Sequence, residues 1–143
     1  MKKLVIFIIG IISLAACDVE SSDNGQLDGF WQWSQIDTLA TGGITDMRKS
    51  RIFWDVGFDL LEIRNTGDFS SQVLFRFVQT SKTLLISSPV IKNREVGDIR
   101  IQDPQELNTY GIYDLTEQFH IDCLNRNKMV LRNERFRFHF RKY

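Results

Sequence analysis

The 143-residue sequence predicts an all-β domain, an antiparallel up-and-down barrel of about eight short strands with one short helix. Three observations predict it. From residue 27 onward apolar side chains recur at every second position, the period of a half-buried strand. Turn-forming clusters such as Asn65-Thr66-Gly67-Asp68 and Asn125-Arg126-Asn127 separate these runs at intervals short enough for antiparallel neighbours. One Asp-Pro pair marks a single helix start. An apolar fraction of 43% with 25% charged residues is ordinary globular composition and excludes extended disorder. Eighteen basic residues balance eighteen acidic ones, so the basic excess of nucleic-acid binders is missing.

Residues 1–16 read differently from the rest. Met1-Lys2-Lys3 gives a positive start, and Leu4 to Ile12 is an apolar run broken only by Gly10, the order of a secretory signal peptide. The thirteen residues from Leu4 to Ala16 fall short of the ~20 that cross a hydrocarbon core. Leu14-Ala15-Ala16-Cys17 resembles the lipobox of bacterial lipoprotein precursors. That resemblance implies cleavage between Ala16 and Cys17, and acylation of Cys17 by a diacylglycerol and a further chain such as palmitate. The alternative is an ordinary signal peptide that leaves Cys17 a plain thiol. Several acyl chains hold a protein far more firmly than one, so the acylated chain is expected to stay on a membrane.

Removal of residues 1–16 takes away Lys2 and Lys3 and leaves a net charge of −2. A lipidated Cys17 also leaves Cys123 without an intramolecular partner, and on an apolar strand Cys123 reads as a small buried hydrophobe. Asp18 to Gln26 is polar and acidic, a flexible tether. Its nine residues reach ~30 Å at most. Acids after the cysteine fit two competing sorting rules, retention at the inner membrane in some bacteria and export to the surface in others. The expected location is the bacterial cell envelope, at the outer membrane.

The domain proper runs from 27 to 143. In Gly29 to Asp37, Trp31 and Trp33 share one face with Gln32 and Ser34 opposite. Ile52, Trp54, Val56 and Phe58 repeat that period, but Gly57 and a change of parity at Leu61 and Ile63 split the run into strands 51–56 and 58–64. Gln72 to Gln79 and Thr83 to Ser87 form the next hairpin around Thr80-Ser81-Lys82. Asp103 is placed to cap a helix over Pro104 to Tyr110, Glu106 completes a capping-box pattern, and Gly111 ends it. Strands over 118–124, 128–133 and 135–142 close the chain. In the last of them Phe136, Phe138 and Phe140 share one face and Arg135, Arg137, His139 and Arg141 the other. Closing such a set removes exposed edges, and eight strands are wide enough to be filled by side chains or to hold one small ligand.

Gly29-Phe30-Trp31 at the start of the first strand, a meander, and a last strand rich in Arg and aromatic residues together resemble the lipocalin-like (calycin) group, and small lipocalin-like lipoproteins of bacterial envelopes in particular. The resemblance implies that Trp31, beside Gly29, closes one end of the barrel beneath a basic residue of the last strand, Arg135 or Arg137. The family's Thr-Asp-Tyr motif is not matched, because Met47 follows Thr45-Asp46.

The residues allow two functions. Trp33, Trp54, Phe75, Phe77, Phe136 and Phe138, with Trp31, Phe58 and Phe140 nearby in the pattern, either line a pocket for a small apolar ligand or fill the interior. A filled barrel points instead to a structural or interaction lipoprotein that docks an envelope protein partner. Residues 126–143 hold seven bases and one acid, read as a solvated strand face or a surface for anionic headgroups, with no nucleic-acid role for an exported chain. No catalytic set, metal site or cofactor is expected. His120 and Cys123 are three apart on a strand and face opposite ways, and no metal-ligand, nucleophile or phosphate-loop spacing occurs.

Overall fold

The computed structural model describes residues 22–68 and 72–143. The proposed signal peptide, Cys17 and the tether as far as residue 21 lie outside them. Among the described residues ten strands follow in order: β1 (Gly29–Thr38), β2 (Gly43–Asp46), β3 (Ile52–Gly57), β4 (Leu60–Asn65), β5 (Gln72–Gln79), β6 (Thr83–Ile91), β7 (Ile99–Arg100), β8 (Glu117–Leu124), β9 (Lys128–Arg132) and β10 (Phe136–Lys142). Eight of them, β1, β3, β4, β5, β6, β8, β9 and β10, pair antiparallel in that order, and β10 returns to pair with β1. The sheet is therefore a closed barrel, and β2 and β7 extend it from β1 and β6.

Alternation puts one face of each barrel strand inside. Trp31, Trp33, Trp54, Ile63, Phe75, Ile86, Phe119, Leu131, Phe138 and Phe140 are buried there. Register shifts between Trp33 and Gln35, Leu74 and Arg76, and Ile121 and Cys123 mark bulges that bend their strands, as closure requires.

The registers sort the connections to two ends. One carries the start of β1, the Phe58–Asp59 turn, the 80–82 turn, the 125–127 turn and the end of β10. We call it the tether end. The opposite end carries the connections 39–51, 92–116 and 133–135. In the longest of these a 3-10 helix spans Pro104–Tyr110, and Leu107, Tyr110 and Ile112 join the core. The side chain of Asp103 accepts from the Gln105 amide, and Gly111 follows in the left-handed conformation; the expected capping box is not formed, because Asp103 bonds the Gln105 amide in place of that of Glu106 and the Glu106 carboxylate does not return to Asp103.

Five further expectations change. Phe58 lies in the β3–β4 turn with φ of 54°, its side chain 58% exposed, so β4 begins at Leu60 and Phe58 is no part of the interior. The strand beginning at Thr83 runs on to Ile91, past Ser88 at φ 53° and the buried Pro89, whose carbonyl accepts from Ile101. The strands β2 and β7 are additional; every residue of β2 is exposed and β7 has two residues, so neither carries an apolar period. Cys123 is half-buried, its sulfur accepting from Asn125 Nδ2 at 3.7 Å. The stretch expected to be a free tether is fastened at its near end: Gly25–Leu27 is a 3-10 turn, and Ser22 and Asn24 both bond to Asp28.

Candidate functional site

The tether end of the barrel is closed by three residues. Trp31 pairs with Lys142 across the β1–β10 seam. The Lys142 ammonium lies 4.2 Å from the centre of the Trp31 ring and donates to the carbonyls of Asp28 and Gln26. The indole Nε1 donates to Leu27 O at 2.8 Å. Gly29 has φ of +131°, and a Cβ there would stand 2.7 Å from Lys142 Cε and Nζ, so the motif Gly29-x-Trp31 leaves room for the lysine to cross the ring. Burial lowers the Lys142 pKa against the opposing pull of Asp28.

The basic residue over Trp31 is therefore Lys142, and neither Arg135 nor Arg137 takes that place. Arg135 precedes β10 and lies 4.5 Å from the centre of the Tyr113 ring, and Arg137 faces outward to Asp122 at 3.2 Å. The signal was present in the alternation. Lys142 has the parity of Phe136, Phe138 and Phe140, which points inward, whereas Arg135 and Arg137 have the outward parity.

The aromatic residues expected to line a pocket pack on one another instead. Trp33 meets Phe138 at 5.6 Å between ring centres, Trp54 meets Phe119 at 5.8 Å and Phe140 at 4.7 Å, and Phe119 stands edge-on to Phe138 at 5.4 Å. Trp33, Trp54, Phe75 and Phe138 are buried, while Phe77 and Phe136 are partly buried against the core's margin. Gln32, on the outer face of β1, is covered by Arg141, whose Nε donates to it.

Outside the barrel wall the strand parity places other groups together. Asp122 holds Arg132 at 3.1 Å, Arg137 at 3.2 Å and His120 at 2.9 Å. Burial raises the Asp122 pKa, but these donors outweigh it and the pKa is lowered. Asp37 Oδ2 lies 2.7 Å from His139 Nε2, and His139 and Gln35 likewise outweigh burial to lower the Asp37 pKa. His120 and Cys123 do not meet. Among the described residues no group of three or more His, Cys, Asp or Glu is placed to hold a metal ion.

A groove of about 480 Å³ runs over the outer face of β1, β3 and β10. Its floor is the stacked pair Phe30 and Phe53, 4.7 Å apart, with Tyr143 edge-on to both. Arg51, Arg141, Gln32 and Thr66 complete the lining, which holds no carboxylate side chain. Sequence reasoning missed this groove because its aromatics occupy the outward parity of strands whose inward parity is also aromatic.

The sequence profile of a lipocalin-like domain matches residues 12–143. The chain belongs to the lipocalin-like domain family. No curated protein matches the chain at a significant level. Among solved structures, this lipocalin-like barrel is similar to a lipocalin-like protein from Bacteroides uniformis, with a TM-score of 0.63 and 17% identity over 83% of this chain and 100% of the other. It is also similar to an uncharacterized protein from Bacteroides eggerthii, with a TM-score of 0.58 and 16% identity over 81% and 98% of the two chains. At these identities the likeness establishes the lipocalin-like fold.

Proposed function

We propose that this lipocalin-like protein is a lipid-anchored, non-enzymatic lipoprotein of the bacterial cell envelope, placed at the outer membrane, whose filled barrel presents its outer surface to an envelope partner. The observation that carries the reading is the packing of the interior: the rings of Trp33, Trp54, Phe119, Phe138 and Phe140 stand 4.7 to 5.8 Å from their neighbours, so a fatty acid would have to displace them. The lipobox Leu14-Ala15-Ala16-Cys17 supports the anchor. The groove of Phe30, Phe53 and Tyr143 beside Arg51 and Arg141 is the surface best suited to a partner with an anionic group on an apolar body, because aromatics and arginine dominate binding surfaces.

Mass spectrometry of the purified protein and titration with fatty acids test the filled barrel. No stoichiometric apolar molecule is expected, and Trp fluorescence should not change. A retained apolar ligand at one per chain would establish the alternative, a ligand-binding barrel. For the anchor, Cys17→Ala should block acylation, and the acyl mass on the wild-type cysteine peptide should be absent from the variant. A wild-type peptide without acyl mass would remove the anchor.

A further inference from the structure

We propose that the tether end of the barrel is a membrane-docking surface, which seats the Phe58 turn in the headgroup region of an anionic lipid bilayer and holds the barrel in one orientation. The proposal rests on acylation of Cys17, and its observations concern a different part of the chain. Ser22 Oγ accepts from the Phe58 amide at 2.6 Å, and Asn24 Nδ2 donates to the Phe58 carbonyl at 2.8 Å. The chain is thus pinned to the β3–β4 turn five residues after Cys17. Five residues span at most ~18 Å when extended. A lipid on Cys17 therefore cannot lie far from Phe58, whatever path the intervening residues take.

The turn so placed presents an exposed ring, with the Asp59 carboxylate beside it paired to Arg76. Phe58 is exposed, held at a φ of 54°, and beside it Leu60 and Leu74 line a groove of about 440 Å³ on the outer wall, together with Lys92 and with Asp55 and Glu62, both paired to Arg64. Other turns around the rim of the same end supply charge, the β5–β6 turn two strands along from Phe58 and the β8–β9 turn across the barrel from it. Lys82 sits between β5 and β6, and Arg126 and Lys128 at the β8–β9 turn. All three are exposed and have no acidic partner among the described residues. The acids at this end are otherwise engaged, Asp59 by Arg76 and Asp28 by Ser22 and Asn24, except for the exposed Asp23. An aromatic tip on one side of a rim that carries unpaired cations on its other turns matches the chemistry of an anionic interface met end-on, where the ring enters the boundary and the cations meet phosphate.

The acylated protein reconstituted in vesicles tests the orientation. The Phe58→Trp variant is compared with Val96→Trp, which places its probe in the 92–116 connection at the opposite end, where Val96 is 75% exposed. The wild-type tryptophans are buried and give a constant background. In vesicles of phosphatidylglycerol and phosphatidylethanolamine carrying brominated acyl chains, the added probe of Phe58→Trp should be quenched at least twofold more than that of Val96→Trp. Adding Lys82→Glu, Arg126→Glu and Lys128→Glu together should abolish that difference, as should vesicles of phosphatidylcholine alone. Equal quenching of the two probes, or quenching indifferent to lipid charge, overturns the proposal. The acyl mass of Cys17, read on the same sample, separates this failure from loss of the anchor. If the chain proves unacylated, the same two variants mixed with the same vesicles decide whether the surface docks unaided.

Discussion

Trp31 and Trp54 are paired across β1 and β3, and both are fully excluded from water, yet their indole nitrogens differ. That of Trp31 donates to Leu27 O, whereas that of Trp54 has no hydrogen-bond partner among the described residues. Replacing a bonded donor leaves the Leu27 carbonyl unsatisfied, while replacing an unbonded one removes a buried liability. Trp31→Phe should therefore cost about 1–3 kcal/mol more than Trp54→Phe in urea unfolding. Equal costs would mean that the Leu27 bond contributes nothing. At this scale the alternation of the last strand made the Phe face and the Arg face legible. The cation that reaches Trp31 depends in addition on which residue of β10 faces Trp31 across the seam, and the register pairs it with Lys142.

Two small elements seal the barrel by different means. The 3-10 helix Pro104–Tyr110 closes its end by packing, and its exit depends on Gly111, at φ 72° with a missing Cβ 2.8 Å from the Phe138 ring. Gly111→Ala meets an unfavourable backbone conformation and a ring that is locked among other rings, and should cost about 2–3 kcal/mol in the same unfolding measurement. The turn at Gly25–Leu27 is held by polar bonds. Burial raises the Asp28 pKa, but the hydrogen bonds from Ser22 and Asn24 outweigh it and leave the pKa lowered. A depressed carboxylate stabilises the fold above its unfolded pKa, about 3.9, and that contribution is lost as pH falls through the folded value. The Leu27 and Asp28 amides, which close this turn, should lose hydrogen-exchange protection below about pH 4, before those of β3 and β4. Simultaneous loss across all of them would show that Asp28 does not hold the turn. The sequence marked the helix well, because Asp103, Pro104 and Gly111 act locally. It read 22–26 as a loose tether because the bonds that fix those residues reach Phe58, more than thirty residues away.

The whole barrel exists because β10 returns to β1, joining residues about a hundred positions apart, as in the His139 to Asp37 contact. Closure entropy must be met before those contacts form, so refolding followed by Trp fluorescence should take milliseconds to seconds. A microsecond phase that recovers the full signal would argue against barrel closure as the slow step. Closure also arranges charge. Two of the seven bases of residues 126–143, Arg132 and Arg137, face Asp122 of another strand, and His139 beside them meets Asp37. What remains unpaired lies partly at the turns of the tether end, and a linear count of charges cannot place it there.

The sequence by itself determined the all-β class, the order of the main strands, which face of each is apolar, the helix with its Asp103 start and Gly111 end, and the Gly29-x-Trp31 motif. Each is written in residues a few positions apart, through the two-residue period of the strand or the backbone preferences of Gly, Pro and Asp. The tertiary structure alone decided that the aromatic rings fill the interior, that Lys142 crosses Trp31, that Phe30, Phe53 and Tyr143 meet on the outer wall, and that Ser22 and Asn24 fasten the chain to the Phe58 turn. Those outcomes depend on register and on closure between distant segments. Parity tells a side chain which face to occupy, and only the pairing of strands tells it which neighbour it meets there.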